Sequence, residues 1–244
     1  MKLLTAAIRG AAGTAGVAYG VNAVPALTSI RLLRICGLPA LAGVGRPDHV
    51  ALTFDDGPDR ASTPHFLELL AGRGVSATFF LLGFMIERNP GLAAELVAAG
   101  HEVAVHGYEH VNLLCRTPAG TDDDIRRAHH LIGEVSGQAP KYYRPPYGVL
   151  TAAAAHTAHR LGLSIVLWTA WGRDWEREAT PTSVHQTVRR HLDGGATILL
   201  HDSDCTSAPL SWKAALGAVP RLLDECAVLG LAVGKLSAHR PQSL

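Results

Sequence analysis

The sequence is poor in the features that most quickly assign a protein. Its four cysteines, Cys36, Cys115, Cys205 and Cys226, are scattered without a CxxC pair. Disulfides are permitted, but a chain of 244 residues can bury a core without them. Neither charge sign dominates: 22 Lys and Arg face 21 Asp and Glu, for a net charge of +1 and a pI near 7.8. With no basic field to neutralise phosphates, a nucleic-acid partner has no electrostatic support. Repeats, low-complexity tracts and helix-spaced heptads are also lacking. Charged residues reach only 18% against 48% hydrophobic, which is somewhat apolar but short of a polytopic membrane protein.

That apolar bias is strongest over residues 1–47, which read as a segment apart from a domain at 48–244. Lys2 opens the chain, Leu3 to Ile8 are apolar save Thr5, and Arg9 interrupts. Residues 10–30 are rich in Ala, Gly and Val and carry no charge, a length approaching the roughly 20 residues that span a bilayer. Asn22, Pro25 and the many glycines weaken a span, while Val21-Asn22-Ala23 and Val24-Pro25-Ala26 loosely resemble a small-residue cleavage site. The expectation is an export signal, a membrane anchor or a helical extension packed on the domain. Membrane contact is confined to this segment. Placement at the cell envelope is favoured, and a cytoplasmic one stays open.

From residue 48 the punctuation becomes regular. His49–Phe54 reads as a buried strand running into the turn Asp55-Asp56-Gly57-Pro58. Ser62-Thr63-Pro64 supplies a helix cap and a first-turn proline, and Gly74 ends that helix. Further candidate strands lie at 77–82, 102–105, 141–144, 164–168, 196–200 and 231–236. Helical patterns separate them. One opens at Thr121 with Asp122, Asp123 and Asp124 at its positive end, and another covers 212–229 with a break expected at Pro220. Seven strands alternating with helices imply an α/β fold on a mostly parallel sheet, open or closed, and periodicity does not choose between the two.

Polar residues collect where such a sheet builds its sites, at the carboxyl ends of the strands. Asp55 and Asp56 follow the first strand, His106 ends the third with His110 four residues on, Arg144 follows the fourth, Asp174 the fifth, and His201 ends the sixth. Two imidazoles one helical turn apart, with the Asp56 carboxylate, suit one divalent cation and leave positions open for water and substrate. Such an ion acidifies bound water and polarises an acyl oxygen. Asp55 is then placed to take a proton from that water, Arg144 to hold Asp55, His201 to protonate a departing amine, and Asp174 to orient His201.

In this order the residues resemble the polysaccharide deacetylase family, also called the NodB homology domain or carbohydrate esterase family 4, over roughly residues 48–236. Thr53-Phe-Asp-Asp-Gly57 is similar to its first motif, His106 and His110 to the second, Arg144-Pro-Pro-Tyr147 to the third, Arg173-Asp174-Trp175 to the end of the fourth, and Leu199-Leu-His201 to the fifth. The resemblance implies a distorted (β/α) barrel of about seven parallel strands. It further implies Asp55 as base, Asp56, His106 and His110 as metal ligands, and His201 as acid. The backbone N–H of Tyr147 would bind an oxyanion, Pro145 would help shape one wall, and Leu199 would line the acetyl pocket. The metal would be zinc, or else cobalt, nickel or manganese. The substrate would be a carbohydrate bearing N-acetyl groups: a chitooligosaccharide, peptidoglycan or a glycolipid. An O-acetyl xylan esterase and a non-catalytic relative are the alternatives.

Two positions depart from the family pattern: Gly107 stands where Ser or Thr usually follows the first metal histidine, and Trp171 where an Asp often opens the fourth motif. A hydroxyl that stiffens the metal loop is therefore expected to be missing. Among the four tryptophans, Trp175 is the best candidate for a sugar-stacking wall, whereas Trp168 and Trp212 sit in regular patterns and fit core packing. Cys205 could approach the site, but without a base partner it is no nucleophile.

Overall fold

All seven residues of β1, His49–Asp55, are buried, because this strand lies in the middle of a parallel sheet covered on its faces. β2 (Thr78–Leu82) pairs with it on one side and β7 (Thr197–His201) on the other. The computed structural model describes residues 19–239; the first part of the apolar segment, with its signal and anchor readings, lies outside the described residues. The full order is β5-β4-β3-β2-β1-β7-β6, where β3 is Glu102–Gly107, β4 Tyr142–Tyr143, β5 Ser164–Ile165 and β6 Ala170–Trp171. Every pairing is parallel, and β8 (Ala232–Gly234) joins the start of β1.

The two edges of this sheet are β5 and β6, and only residues 166–169 separate them in the chain. The sheet therefore curls until its edges are joined by chain rather than by a ladder, which is the distorted barrel expected. Of the expected strand at 164–168 only Ser164 and Ile165 form one, and 166–168 belong to the seam that leads to β6.

Without a ladder, the seam's carbonyls need other donors. Arg144 gives Nε to Val166 O at 3.1 Å and Nη2 to Leu167 O at 2.8 Å. Arg34 serves Trp168 O at 3.0 Å, and Arg31 serves Thr169 O at 3.2 Å. The last two come from the helix Arg31–Gly37, so this part of the N-terminal segment lies against the barrel. Leu41 O also accepts from the Leu167 N–H, and Asn22 Oδ1 accepts from the Ala153 N–H. No described helix is long and apolar enough to cross a membrane.

Strand alternation sorts the core into two clusters. Val50, Leu52 and Phe54 of β1 join Phe66, Leu70 and Phe79 under the helices. Ala51 meets Phe80, Ala104, Tyr142, Val166 and Leu236 inside the barrel. Counting on from Ala51, Asp55 is on the inward set. In β7, Ile198 and Leu200 belong to the outer cluster, which leaves Leu199 and His201 to the inside. The register then sets Asp55 directly beside His201.

Three local expectations change. The helix expected from Thr121 starts at Pro118, because Thr117 Oγ1 caps it by accepting from the Gly120 N–H. Asp124 is therefore away from the first turn and free for another task. Ser62 and Thr63 do not cap their helix; their hydroxyls donate to Asp202 O and Asp202 Oδ2. The helix Trp212–Val228 continues through Pro220.

Candidate active site

Successive strand residues face opposite sides, so Asp55 and Asp56 should not share a cleft. A φ of 75° at Asp56 breaks the alternation, and both carboxylates line the same cavity at the barrel mouth. Non-glycine residues rarely adopt this region, and Tyr147 (φ 59°) and Arg173 (φ 53°) do so in the neighbouring loops. Three of the loops around the mouth are thus held in unusual conformations by their surroundings.

Asp56 Oδ1 faces His106 Nε2 at 3.3 Å and His110 Nε2 at 3.5 Å. One ligand atom from each of the three residues lies within 4.8 Å of the others. Asp56 Oδ1 is buried and has no hydrogen-bond partner, a costly state that a cation between these donors would relieve. Two of the remaining atoms are occupied: His106 Nδ1 lies 2.8 Å from Arg144 O, and Asp56 Oδ2 accepts from Thr206 Oγ1 at 2.5 Å, whereas His110 Nδ1 has no hydrogen-bond partner. Outer partners of this kind fix which ring nitrogen is offered to a metal. Burial pushes the His110 imidazole down to about 4, so its lone pair is available at neutral pH. Burial alone would push the Asp56 carboxyl up, but the facing His106, then His201 and His110, outweigh it and hold it well below the usual carboxylate range. The residues fit a divalent cation.

On the inner wall Asp55 Oδ1 accepts from Arg144 Nη1 at 2.6 Å, and the same nitrogen donates to Thr53 Oγ1 at 2.9 Å. Arg144 is fully buried with its guanidinium 4.0 Å over the Phe80 ring. Opposite, Asp174 Oδ2 accepts the His201 backbone N–H at 2.7 Å, and both carboxylate oxygens lie 3.2 Å from His201 Nδ1. That contact leaves Nε2 as the ring's other nitrogen, on a side chain that lines the cleft. Burial opposes charge on His201, yet Asp174, then Asp56 and Asp55, raise its pKa to about 10. The ring is therefore a cation at neutral pH and can give a proton.

Tyr147, Trp175 and Leu199 line the cleft, and Tyr147 packs edge-on against His110 at 4.4 Å. Pro145 is buried and is not among the lining residues. Trp168 and Trp171 do line it, stacked 6.1 Å apart, with Trp175 tilted against Trp171 and Trp175 edge-on to His201. Trp168 leaves the core because β5 stops at Ile165, so its residue belongs to the seam and not to a strand. Trp212 instead stacks on His65, away from the cleft. Cys205 does approach, with Sγ 3.4 Å from Asp56 O, but burial pushes its thiol up to about 12 and keeps it protonated.

Two participants escaped the motif reading. Thr206, which holds Asp56, sits in a loop with no pattern to mark it. Asp124, which accepts the N–H groups of Tyr108 and Glu109, sits among three aspartates whose individual roles the sequence does not separate.

The sequence model of the polysaccharide deacetylase family matches residues 42–166. The chain belongs to this family. It is 39% identical over 154 residues to a chitooligosaccharide deacetylase of Bradyrhizobium, covering 63% of this chain and 70% of that one. It is 33% identical over 159 residues to the peptidoglycan-N-acetylglucosamine deacetylase PgdA of Listeria monocytogenes, covering 65% of this chain but only 33% of that longer protein. Among solved structures, a family 4 carbohydrate esterase from Streptomyces lividans in complex with acetate superposes with a TM-score of 0.68 at 34% identity, covering 78% of this chain and 93% of that one.

Proposed function

We propose that this polysaccharide deacetylase family member hydrolyses N-acetyl groups on an amino-sugar carbohydrate, releasing acetate, with a divalent cation, assigned as zinc, held by Asp56, His106 and His110. The observation that carries the reading is that Asp55 and His201 are register neighbours on β1 and β7, beside three converging ligand atoms. When bound, the cation supplies Lewis-acid polarisation of the acyl oxygen and an acidified water. Asp55 serves as base: Arg144 occupies its Oδ1 and orients the carboxylate. His201, charged and turned by Asp174, donates its proton to the leaving amine. The Tyr147 N–H is assigned to the acyl oxygen as negative charge develops there. The indoles of Trp171 and Trp175 offer faces on which a pyranose can lie. A chitooligosaccharide, peptidoglycan glycan and a glycolipid all meet these requirements.

Removing the cation tests the reading. After chelation to a verified metal-free state, turnover of N-acetylglucosamine oligomers is expected to vanish and to return on adding Zn²⁺, Co²⁺, Ni²⁺ or Mn²⁺. An unchanged rate in metal-free protein would refute it. Acetylated xylan hydrolysed in place of the oligomers would assign the chain to the O-acetyl branch of the family.

A second test uses pH. Because His201 is raised from its ordinary value mainly by Asp174, its acid form persists through neutral pH and is lost as pH rises through about 10. A bound cation lowers that limit, and Asp174 continues to oppose it. Asp174→Asn removes the opposing charge, so the alkaline limb of kcat/KM should move to lower pH. A pH–rate profile with an unmoved limb would remove Asp174 from the proton path.

A further inference from the structure

We infer that Asp124 is the positioning residue of the metal-binding loop and that Gly107 is its required partner, the pair replacing the hydroxyl that the family usually places at 107. The inference rests on the metal reading of Asp56, His106 and His110.

Gly107, Tyr108 and Glu109 are the only residues between the two metal histidines. Asp124 Oδ2 accepts the Tyr108 N–H at 2.9 Å, and Oδ1 accepts the Glu109 N–H at 3.1 Å. Two successive backbone donors thus end on one carboxylate that is only 5% exposed. Arg116 pairs with Asp124 Oδ1 and with Glu109, so the carboxylate is charge-balanced. Its helix, Pro118–Ser136, is anchored by Ile125, Ala128 and Ile132 in the main core. The loop carrying His110 therefore cannot swing away without stranding the buried Tyr108 N–H and breaking the bond from the Glu109 N–H.

Gly107 completes the device. Its φ is 111°, a conformation that side-chain-bearing residues rarely adopt. A Cβ built there would lie 2.9 Å from Asp124 Oδ2 and 3.3 Å from Glu109 O. A serine at 107 and a carboxylate at 124 are thus two competing ways of holding this loop. The chain uses the second, and its metal loop is stiff despite the absent hydroxyl.

The test is a titration of metal-free protein with Co²⁺, read by visible absorption, so binding is measured apart from turnover. Asp124→Ala is expected to weaken Co²⁺ binding by roughly 10- to 100-fold, the usual effect of losing an outer-shell support. Asp124→Asn should fall between, since its amide offers one oxygen to two N–H donors. Gly107→Ser, although it restores the residue common in the family, should also weaken binding, by about tenfold.

Unchanged Co²⁺ affinity in Asp124→Asn, or tighter binding in Gly107→Ser, would overturn the inference. If Asp124→Ala fails to fold by circular dichroism, those two variants still decide. Failure of the wild type to bind Co²⁺ would sink the metal reading itself, a result distinct from variants that match a metal-binding wild type.

Discussion

Arg144→Ala is expected to lower the unfolding free energy of the metal-free protein by roughly 3–5 kcal/mol, the usual cost of stranding one partner of a buried ion pair. The guanidinium has no exposure and serves four acceptors at once: Asp55 Oδ1, Thr53 Oγ1 and the carbonyls of Val166 and Leu167. Alanine would leave the buried Asp55 carboxylate without its cation and two seam carbonyls without donors. Because the barrel closes at 166–169 through chain and arginines instead of a ladder, the loss falls where closure is thinnest. Domains of this size have only about 5–15 kcal/mol in hand, so the variant should melt about 10 °C lower. Arg144→Lys should recover only part, since one ammonium cannot reproduce a planar fork spread over a carboxylate and two carbonyls. Urea denaturation checks both. An Arg144→Ala protein within roughly 1 kcal/mol of wild type would show that the seam is held by something else.

Particular residues show why some of this was legible in sequence and some was not. Asp55, His106, Arg144 and His201 announce themselves because each lies at or just beyond the carboxyl end of a strand whose apolar alternation is plain. Counting by twos from Ala51 or from Leu199 even assigns Asp55 and His201 to the barrel interior. The barrel's closure is not legible that way. It depends on Arg31, Arg34 and Arg144 reaching carbonyls 22 to 138 residues away in sequence, and periodicity carries no information about such pairs. Trp168 misleads for the same reason: Ser164 to Trp168 has the composition of one strand, but β5 pairs only at Ser164 and Ile165 before the chain turns into the seam. Gly107 misleads in the opposite sense. Compared with the family pattern it looks like a loss, and only the packing of a distant helix reveals Asp124 in its place.

Asp55→Asn is expected to reduce kcat on N-acetylglucosamine oligomers by roughly 10²- to 10⁴-fold, the range of a positioned general base. The amide keeps the shape of the carboxylate and can still accept from Arg144, but it cannot take a proton. Asp56, His106 and His110 are untouched, so Co²⁺ should bind with an affinity close to wild type, and this separates the variant from Asp56→Asn, in which binding itself should fail. Arg144 loses its charge partner, so thermal unfolding must be followed alongside to keep lost stability apart from lost chemistry. The register neighbour supplies a further check. If Asp55 and His201 take and give the proton of one reaction, their removals should not add: Asp55→Asn with His201→Ala should be hardly slower than the worse single variant. His201→Ala alone should harm amide hydrolysis more than ester hydrolysis, because an amine leaves poorly unless protonated, whereas an alkoxide needs that help less. A metal-bound Asp55→Asn protein turning over at the wild-type rate would remove Asp55 from the reaction and transfer the base to another group lining the same cleft.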